Sequence, residues 1–173
     1  SLLGEAGGGF DCILADLGVS SMQLDNPARG FTYKAGGPLD LRLNPLRGRP
    51  ASELLKAVTL PRLEQILSEY ADEPYARDIA RAVLRAPESL NTTAKLARVV
   101  RSALGNLDEK LIKKSLARTF MALRIAVNEE LSVLDHFLEV LPRCLKPGGR
   151  VAILSFHSGE DRRVKRAFAI GLE

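Results

Sequence analysis

The sequence predicts an α/β fold in which two buried strands lie parallel in one sheet, and three observations support this prediction. The apolar run from Cys12 to Ala15 stops at Asp16, as expected of a strand covered on both faces. A second buried strand is predicted from Arg150 to Phe156, after a Lys-Pro-Gly-Gly turn. Between them lies a long stretch of helical periodicity, which supplies the crossover that a parallel pair requires.

The composition is that of an ordinary globular domain. The chain has 173 residues, of which 46% are hydrophobic and 27% charged, and no apolar run approaches the length of about 18 residues that a membrane span needs. No basic, apolar and small-residue pattern of a signal peptide opens the sequence, so we do not expect secretion. We expect Cys12 and Cys144 to be small core residues in a reducing compartment, and we expect no metal site.

The segment from residue 26 to 50 is rich in glycine and proline, which excludes regular structure over most of its length. Irregular segments longer than about 15 residues are usually functional or disordered. This one carries enough apolar mass to pack, in Phe31, Tyr33, Leu39, Leu41 and Leu43. We therefore expect it to form an ordered active-site wall.

Helical periodicity begins at Ala51. Short amphipathic helices are predicted after Ser52, Thr59, Pro74 and Thr92, and together they indicate a small helical domain inserted after the first strand. Its role is either that of a scaffold or that of a surface whose arginines face RNA. The longest helix is expected from Ser115 to Leu141, ended by Pro142, and a basic helix from Asp161 to Ala169. The predicted divisions are residues 1–48, 49–114 and 115–173.

Polar residues follow both predicted strands. Asp16 comes directly after the first, and Ser155 and His157 come at the end of the second. Because ligands bind at the carboxyl ends of parallel strands, these residues are expected to share a functional edge. Two alternatives remain open: Asp16 could cap the next helix, and His157 could bond the neighbouring loop.

Positive charge is concentrated in two places, although the net charge is only +4. Five basic residues and one acidic residue lie between Arg29 and Arg49, and four of the five residues from Arg162 to Arg166 are basic. Such clusters suit phosphate contacts, which favours a nucleic-acid partner over a merely solvated surface.

Several longer motifs carry a family resemblance. They are Asp16 to Ser21 (DLGVSS) with Gln23 to Asp25, Arg29 to Phe31, Gly37 to Arg42 (GPLDLR), Ala117 to Leu131 (ARTFMALRIAVNEEL), and Leu154 to Arg162 (LSFHSGEDR). Together they resemble the MraW-type family of S-adenosylmethionine-dependent methyltransferases, which modify the N4 amino group of a cytosine in small-subunit ribosomal RNA.

The resemblance implies a partial Rossmann-like methyltransferase sheet with an inserted helical domain. It implies S-adenosylmethionine as cofactor, contacted by Asp16 and Gln23, and it makes Asp16, Ser155 and His157 the catalytic candidates. The RNA-binding candidates are Arg29, Phe31, Arg42, Arg162, Arg163 and Lys165. A cytoplasmic enzyme is expected; an organelle version and a homodimer are left open.

The family also has a glycine-rich cofactor loop ahead of the region matched here. We therefore expect this chain alone to bind S-adenosylmethionine weakly or not at all and to be inactive. The alternative is a non-catalytic RNA-binding or ribosome-assembly relic of the family.

Overall fold

The computed structural model describes residues 4, 7–34, 36–85 and 90–170. The chain divides into two compact units. The sheet unit comprises residues 1–18 and 130–173, and the helical unit comprises residues 19–129.

Within residues 7–18 and 130–170, the sheet unit has two parallel strands and two helices. Strand β1 is Phe10–Asp16 and strand β2 is Leu145–Leu154. They pair in continuous register from Cys12 opposite Arg150 to Asp16 opposite Leu154, after a register shift near Phe10. The predicted parallel pair is confirmed, although the Lys-Pro-Gly-Gly turn lies within the bounds of β2, at this irregularity, instead of ahead of the strand.

The expectation that both faces of the strands are covered is wrong. Ile13, Val151 and Ile153 pack against the core of this unit. On the opposite face, Leu14 is 69% exposed and Leu154 is 46% exposed. Because successive side chains point to opposite faces of a sheet, the side chains on one face can be covered while those on the other face are exposed. Cys12 is likewise exposed, so it is not a core residue, and Cys144 is half-buried.

The helical unit carries most of the secondary structure. Its helices are α1 (Ser21–Asp25), α2 (Ala51–Ala57), α3 (Leu60–Ala71), α4 (Ala76–Leu84), α5 (Thr93–Ala103) and α6 (Glu109–Asn128), with a 3₁₀ turn at Pro27–Arg29. The four helices predicted between residues 51 and 105 are confirmed. Thr92 caps α5 as its side chain accepts a hydrogen bond from the amide of Lys95.

The irregular segment packs into this helical unit. Phe31, Leu39 and Leu41 are buried in the same core as the helices. Gly30 permits the close packing, since it has φ +71° and a Cβ there would strike the carbonyl oxygen of Pro38. The compact units meet at residues 18 and 129, and the domain divisions expected at residues 48 and 114 stay a prediction.

The predicted helix from Ser115 to Leu141 is in fact two helices. Helix α6 begins at Glu109, capped by Asp108, and ends at Asn128; helix α7 is Glu130–Cys144. Between them, Glu129 has left-handed backbone angles, φ 53° and ψ 33°, which interrupt the helical hydrogen bonds. Pro142 lies inside α7 and does not end it.

The last helix, α8, is Ser158–Ile170, so it begins three residues earlier than predicted. Its Val164 joins Leu134, Leu138 and Leu141 of α7 in the core of the sheet unit. The three leucines keep the predicted apolar spacing of four and three, and their contact with Val164 holds the two helices of this unit together.

Candidate functional site

The carboxyl edge of the parallel pair brings together residues that the sequence separates widely. Asp16 lies opposite Leu154, and the amide of Leu17 donates to the carbonyl oxygen of Leu154 at 3.1 Å. Ser155 therefore follows directly at the same edge. Asp16 is exposed there, so its carboxylate can accept hydrogen bonds from a ligand. The two strand ends thus share one edge of the sheet; that this edge is functional stays a prediction.

His157 is held inside the turn that follows β2. Its side chain is only 9% exposed, and its Nδ1 accepts a hydrogen bond from the amide of Gly159 at 3.2 Å. Its Nε2 lies 3.2 Å from Oε1 of the buried Glu160, without good hydrogen-bond alignment. Glu160 Oε2 in turn accepts from the amide of Phe156 at 2.9 Å. This geometry favours the role of bonding the neighbouring loop over that of a free base.

Gln23 belongs to a capping box in the helical unit. Its side-chain oxygen accepts from the amide of Ser20 at 3.0 Å, and the Ser20 hydroxyl accepts from the amide of Gln23 at 3.4 Å. Ser20, and not Asp16, is thus the cap of α1. The capping bond uses only the oxygen of the Gln23 side chain, so the NH₂ group of this half-buried residue can donate to a ligand.

Two of the predicted RNA-binding arginines hold the irregular segment in shape. Arg29 Nη2 donates to the carbonyl oxygens of Arg42 and Leu43 at 3.0 and 2.7 Å. Arg42 forms a two-pronged ion pair with Asp40, with N–O distances of 2.6 and 2.8 Å. Hydrogen bonding from Arg42 lowers the pKa of Asp40, and Asp40 raises the pKa of Arg42. Their contact with RNA remains a prediction.

Phe31 borders a cavity of about 360 Å³ in the helical unit. Tyr33 and Phe120 share its wall, with ring centroids 5.5 Å apart, and the guanidinium of Arg29 lies 5.6 Å from the centre of the Phe31 ring. Aromatic walls of this kind stack on unpaired nucleic-acid bases. The remaining lining residues are Leu24, Asp25, Thr32, Lys34, Leu41, Ala117, Met121 and Arg124.

Three cavity residues were not found by sequence reasoning: Asp25, Phe120 and Arg124. Asp25 and Arg124 bring opposite charges to an aromatic cavity, and each stands inside a motif quoted above. Membership of these motifs was therefore the one sequence signal that could have pointed to Asp25, Phe120 and Arg124 as site residues. Leu41 lies on the same wall with φ 65°, a conformation that is costly for a branched residue and that is found disproportionately at functional sites.

The basic residues of α8 have partners within the sheet unit. Arg163 pairs with Asp135 at 3.0 Å and donates to the carbonyl oxygen of Gly159, while Lys165 pairs with Asp161 at 2.8 Å. Arg162 is exposed on the same helix. Exposed ion pairs are weak, so these cations can still exchange partners for phosphates, and the predicted RNA contact stays a prediction.

The described ranges hold neither a candidate metal cluster nor a candidate membrane-spanning helix. Residues 4, 7–34, 36–85 and 90–170 contain no group of His, Cys, Asp and Glu side chains arranged to hold a metal ion. Over the same ranges, no helix combines the length and the apolar character needed to cross a bilayer.

Comparison with curated proteins gives consistent matches. "Ribosomal RNA small subunit methyltransferase H 1" of Agathobacter rectalis is 53% identical over 171 residues, which cover 95% of this chain and 49% of the relative. "Ribosomal RNA small subunit methyltransferase H 2" of Acholeplasma laidlawii is 53% identical over 167 residues, covering 92% and 48%. "Ribosomal RNA small subunit methyltransferase H" of Halorhodospira halophila is 46% identical over 170 residues, covering 95% and 52%.

The chain therefore spans about half the length of the curated relatives it matches. A family model described as the MraW methylase family matches residues 3–171. That match includes the Asp16 edge, the capping box at Gln23 and the Phe31 cavity. The chain belongs to the MraW methylase family.

Proposed function

We propose that this chain takes part in S-adenosylmethionine-dependent methylation of the N4 amino group of a cytosine in small-subunit ribosomal RNA. The observation that carries the proposal is the exposed carboxylate of Asp16 at the carboxyl edge of a parallel strand pair, beside Ser155. The printed names of the relatives, all ribosomal RNA small subunit methyltransferases, support the same reaction class.

Asp16 and Gln23 are the cofactor-contacting candidates. An exposed carboxylate and a side-chain NH₂ group can bind the hydroxyl and amino groups of a nucleoside, so their chemistry fits S-adenosylmethionine. When bound, that cofactor supplies a methyl group already activated by the sulfonium. What the protein must add is alignment of the nucleophile with the methyl carbon.

The amino group of cytosine is a weak nucleophile because its lone pair is delocalised into the ring. A carboxylate that accepts a hydrogen bond from this N–H group increases its electron density and takes up the positive charge that develops on nitrogen. In the sheet unit, Asp16 is the exposed carboxylate suited to this role, and the Ser155 hydroxyl is a second acceptor. In the helical unit, the Phe31 cavity is suited to hold an unstacked RNA base.

The test is transfer of a labelled methyl group from S-adenosylmethionine to small-subunit RNA that lacks the modification. Asp16→Asn should lower the rate by about 10²- to 10⁴-fold, the range for loss of a positioned proton acceptor. Asp11→Asn is the matched control, since Asp11 lies on the same strand with its side chain exposed and paired to Lys146. It should leave the rate unchanged.

Both substitutions are measured in this chain and in the longest protein that its gene encodes. Equal rates for Asp16→Asn and Asp11→Asn in an active protein would contradict the role of Asp16. Labelling of a position other than cytosine N4 would contradict the proposed reaction.

A second candidate function is RNA binding without methyl transfer. The buried, hydrogen-bonded state of His157 favours it, because that imidazole is not presented as a free base. Retained RNA binding with no transfer in either protein would support this alternative.

A further inference from the structure

A groove of about 690 Å³ lies in the helical unit. It shares no lining residue with the Phe31 cavity. Its floor is apolar and includes Leu54, Val58 and Ile66 from α2, α3 and the turn between them. Its rim includes Arg47, Arg49 and Arg62. One long side is formed by residues 43–49, which we name the arginine loop.

The arginine loop is fixed by hydrogen bonds at its start and near its end. Asn128 accepts from the amide of Leu43 at 2.7 Å and donates to the carbonyl oxygen of Leu41 at 2.7 Å. Arg42 donates to the carbonyl oxygen of Gly48 at 3.2 Å. Between these points, Asn44 closes a turn by accepting from the amides of Leu46 and Arg47. A loop held this way loses little entropy when it binds a ligand.

This rigid loop presents one apolar side chain flanked by cations. Leu46 is 91% exposed on a turn that is fixed by several hydrogen bonds. Arg47 and Arg49 are exposed, and no carboxylate partner for either occurs among the described residues. Arg101 and Lys165, by contrast, are paired with Glu109 and Asp161.

We propose that the arginine loop and its groove bind single-stranded RNA, with Arg47 and Arg49 on phosphates and Leu46 against a base. Alternation of an apolar tip with unpaired cations matches a strand that alternates bases with phosphates. An acidic peptide would satisfy the cations but would give Leu46 no flat surface. The inference rests on the proposed RNA substrate and adds a contact outside the Asp16 edge and the Phe31 cavity.

The test is fluorescence anisotropy of the full chain with a labelled single-stranded oligoribonucleotide, repeated over a series of salt concentrations. The double variant Arg47→Gln, Arg49→Gln should weaken binding about tenfold and reduce the salt slope by about 1.4, at about 0.7 per phosphate contact. Leu46→Ser should weaken binding about threefold to tenfold and leave the salt slope unchanged, because no charge is lost.

Two further variants separate a local effect from a general one. Lys110→Gln removes one exposed positive charge near the start of α6, about 27 Å along the helix axis from Asn128 at 1.5 Å per residue, and should have little effect. Glu53→Gln removes a carboxylate that lines the groove and should strengthen binding. Misfolding would not produce this increase.

Equal losses for the arginine double variant and Lys110→Gln would overturn the inference, as would an unchanged salt slope. Equally effective competition by polyglutamate and by unlabelled RNA would indicate an acidic protein partner instead, and would also overturn it. Binding does not require methyl transfer, so the two proposals fail separately. Methyl transfer with arginine-independent binding would reject this inference alone, and arginine-dependent binding without transfer would reject the proposed activity alone.

Discussion

At the scale of single residues, side chains that bond to distant backbone decide the shape of the irregular segment. Asn128 joins the end of α6 to Leu41 and Leu43, and Arg29 bonds the carbonyl oxygens of Arg42 and Leu43. The segment has almost no regular secondary structure, so these bonds replace the backbone ladders that a helix or strand would provide. They also hold Leu41 in its left-handed conformation.

The ion pair between Asp40 and Arg42 makes this segment sensitive to acid. The pKa of Asp40 is lowered by Arg42, so the pair stabilises the folded state fully above the ordinary carboxyl pKa of about 3.9 and loses its effect as pH falls through the lowered value. Asp40→Asn should lower the Tm at pH 7 by about 2–4 °C, and the difference from the unsubstituted chain should shrink below about pH 4.

Tyrosine fluorescence can measure this Tm, because all three tyrosines, Tyr33, Tyr70 and Tyr75, lie in the helical unit. Asp11→Asn in the sheet unit serves as the control and should leave that Tm unchanged. If the Tm of Asp40→Asn stays below that of the unsubstituted chain at low pH, the lost stability comes from altered packing or hydrogen bonding and not from the lost charge.

At the scale of elements, the sheet has one packed face and one exposed face. Leu134 of α7 is buried in the core of the sheet unit, whereas Leu14 of β1 points to the exposed face. Leu134→Ala should cost about 2–5 kcal/mol of unfolding free energy, since it leaves a cavity. Leu14→Ala should change it by no more than about 0.5 kcal/mol.

Urea denaturation followed by far-UV circular dichroism measures both leucine variants. The two substitutions remove the same atoms, so their difference reports burial alone. A loss for Leu14→Ala as large as that for Leu134→Ala would mean that the exposed face is covered in solution.

Local sequence patterns predicted the presence of helices and strands well. They predicted less well where these elements end and which of their faces are buried. The spacing of Leu63, Ile66 and Leu67 located α3 because those residues all face one core. The break at Glu129 was not predictable, since the apolar period continues unbroken across it. The contacts made there by Asn128 join residues that lie far apart in the sequence. The apolar run of β1 is compatible with packing on one face or on both faces, so the sequence could not distinguish the two arrangements.

The candidate site shows the same division between local and distant information. The edge formed by Asp16 and Ser155 followed from two strand ends and the parallel rule. The cavity at Phe31 did not, because Phe120 and Arg124 reach it from a helix far along the chain. Likewise, a lone motif could not show that His157 is buried against Glu160.

At the scale of the whole molecule, the two units differ greatly in their cores. Among the described residues, the helical unit buries a large apolar cluster that extends from Phe31 to Leu123, whereas the sheet unit buries five apolar side chains, four of them in one cluster. Stability grows with buried apolar area. The helical unit should therefore be the more stable of the two.

Unfolding should accordingly occur in two steps. In increasing urea, far-UV circular dichroism should show an early loss of helix from α7 and α8, and tyrosine fluorescence should change only in the later step, when the helical unit unfolds. Coincident transitions by both probes would contradict this prediction and indicate a single cooperative unit.

The pairing of β1 with β2 has a consequence for synthesis. Asp16 leaves the ribosome long before Leu154, its neighbour in the sheet, and at about 5–20 residues per second the delay is about 7–28 s. During that interval β1 cannot yet pair with β2. The helical unit can fold in the meantime and fix the distance between its own ends, which shortens the loop that the two strands must close.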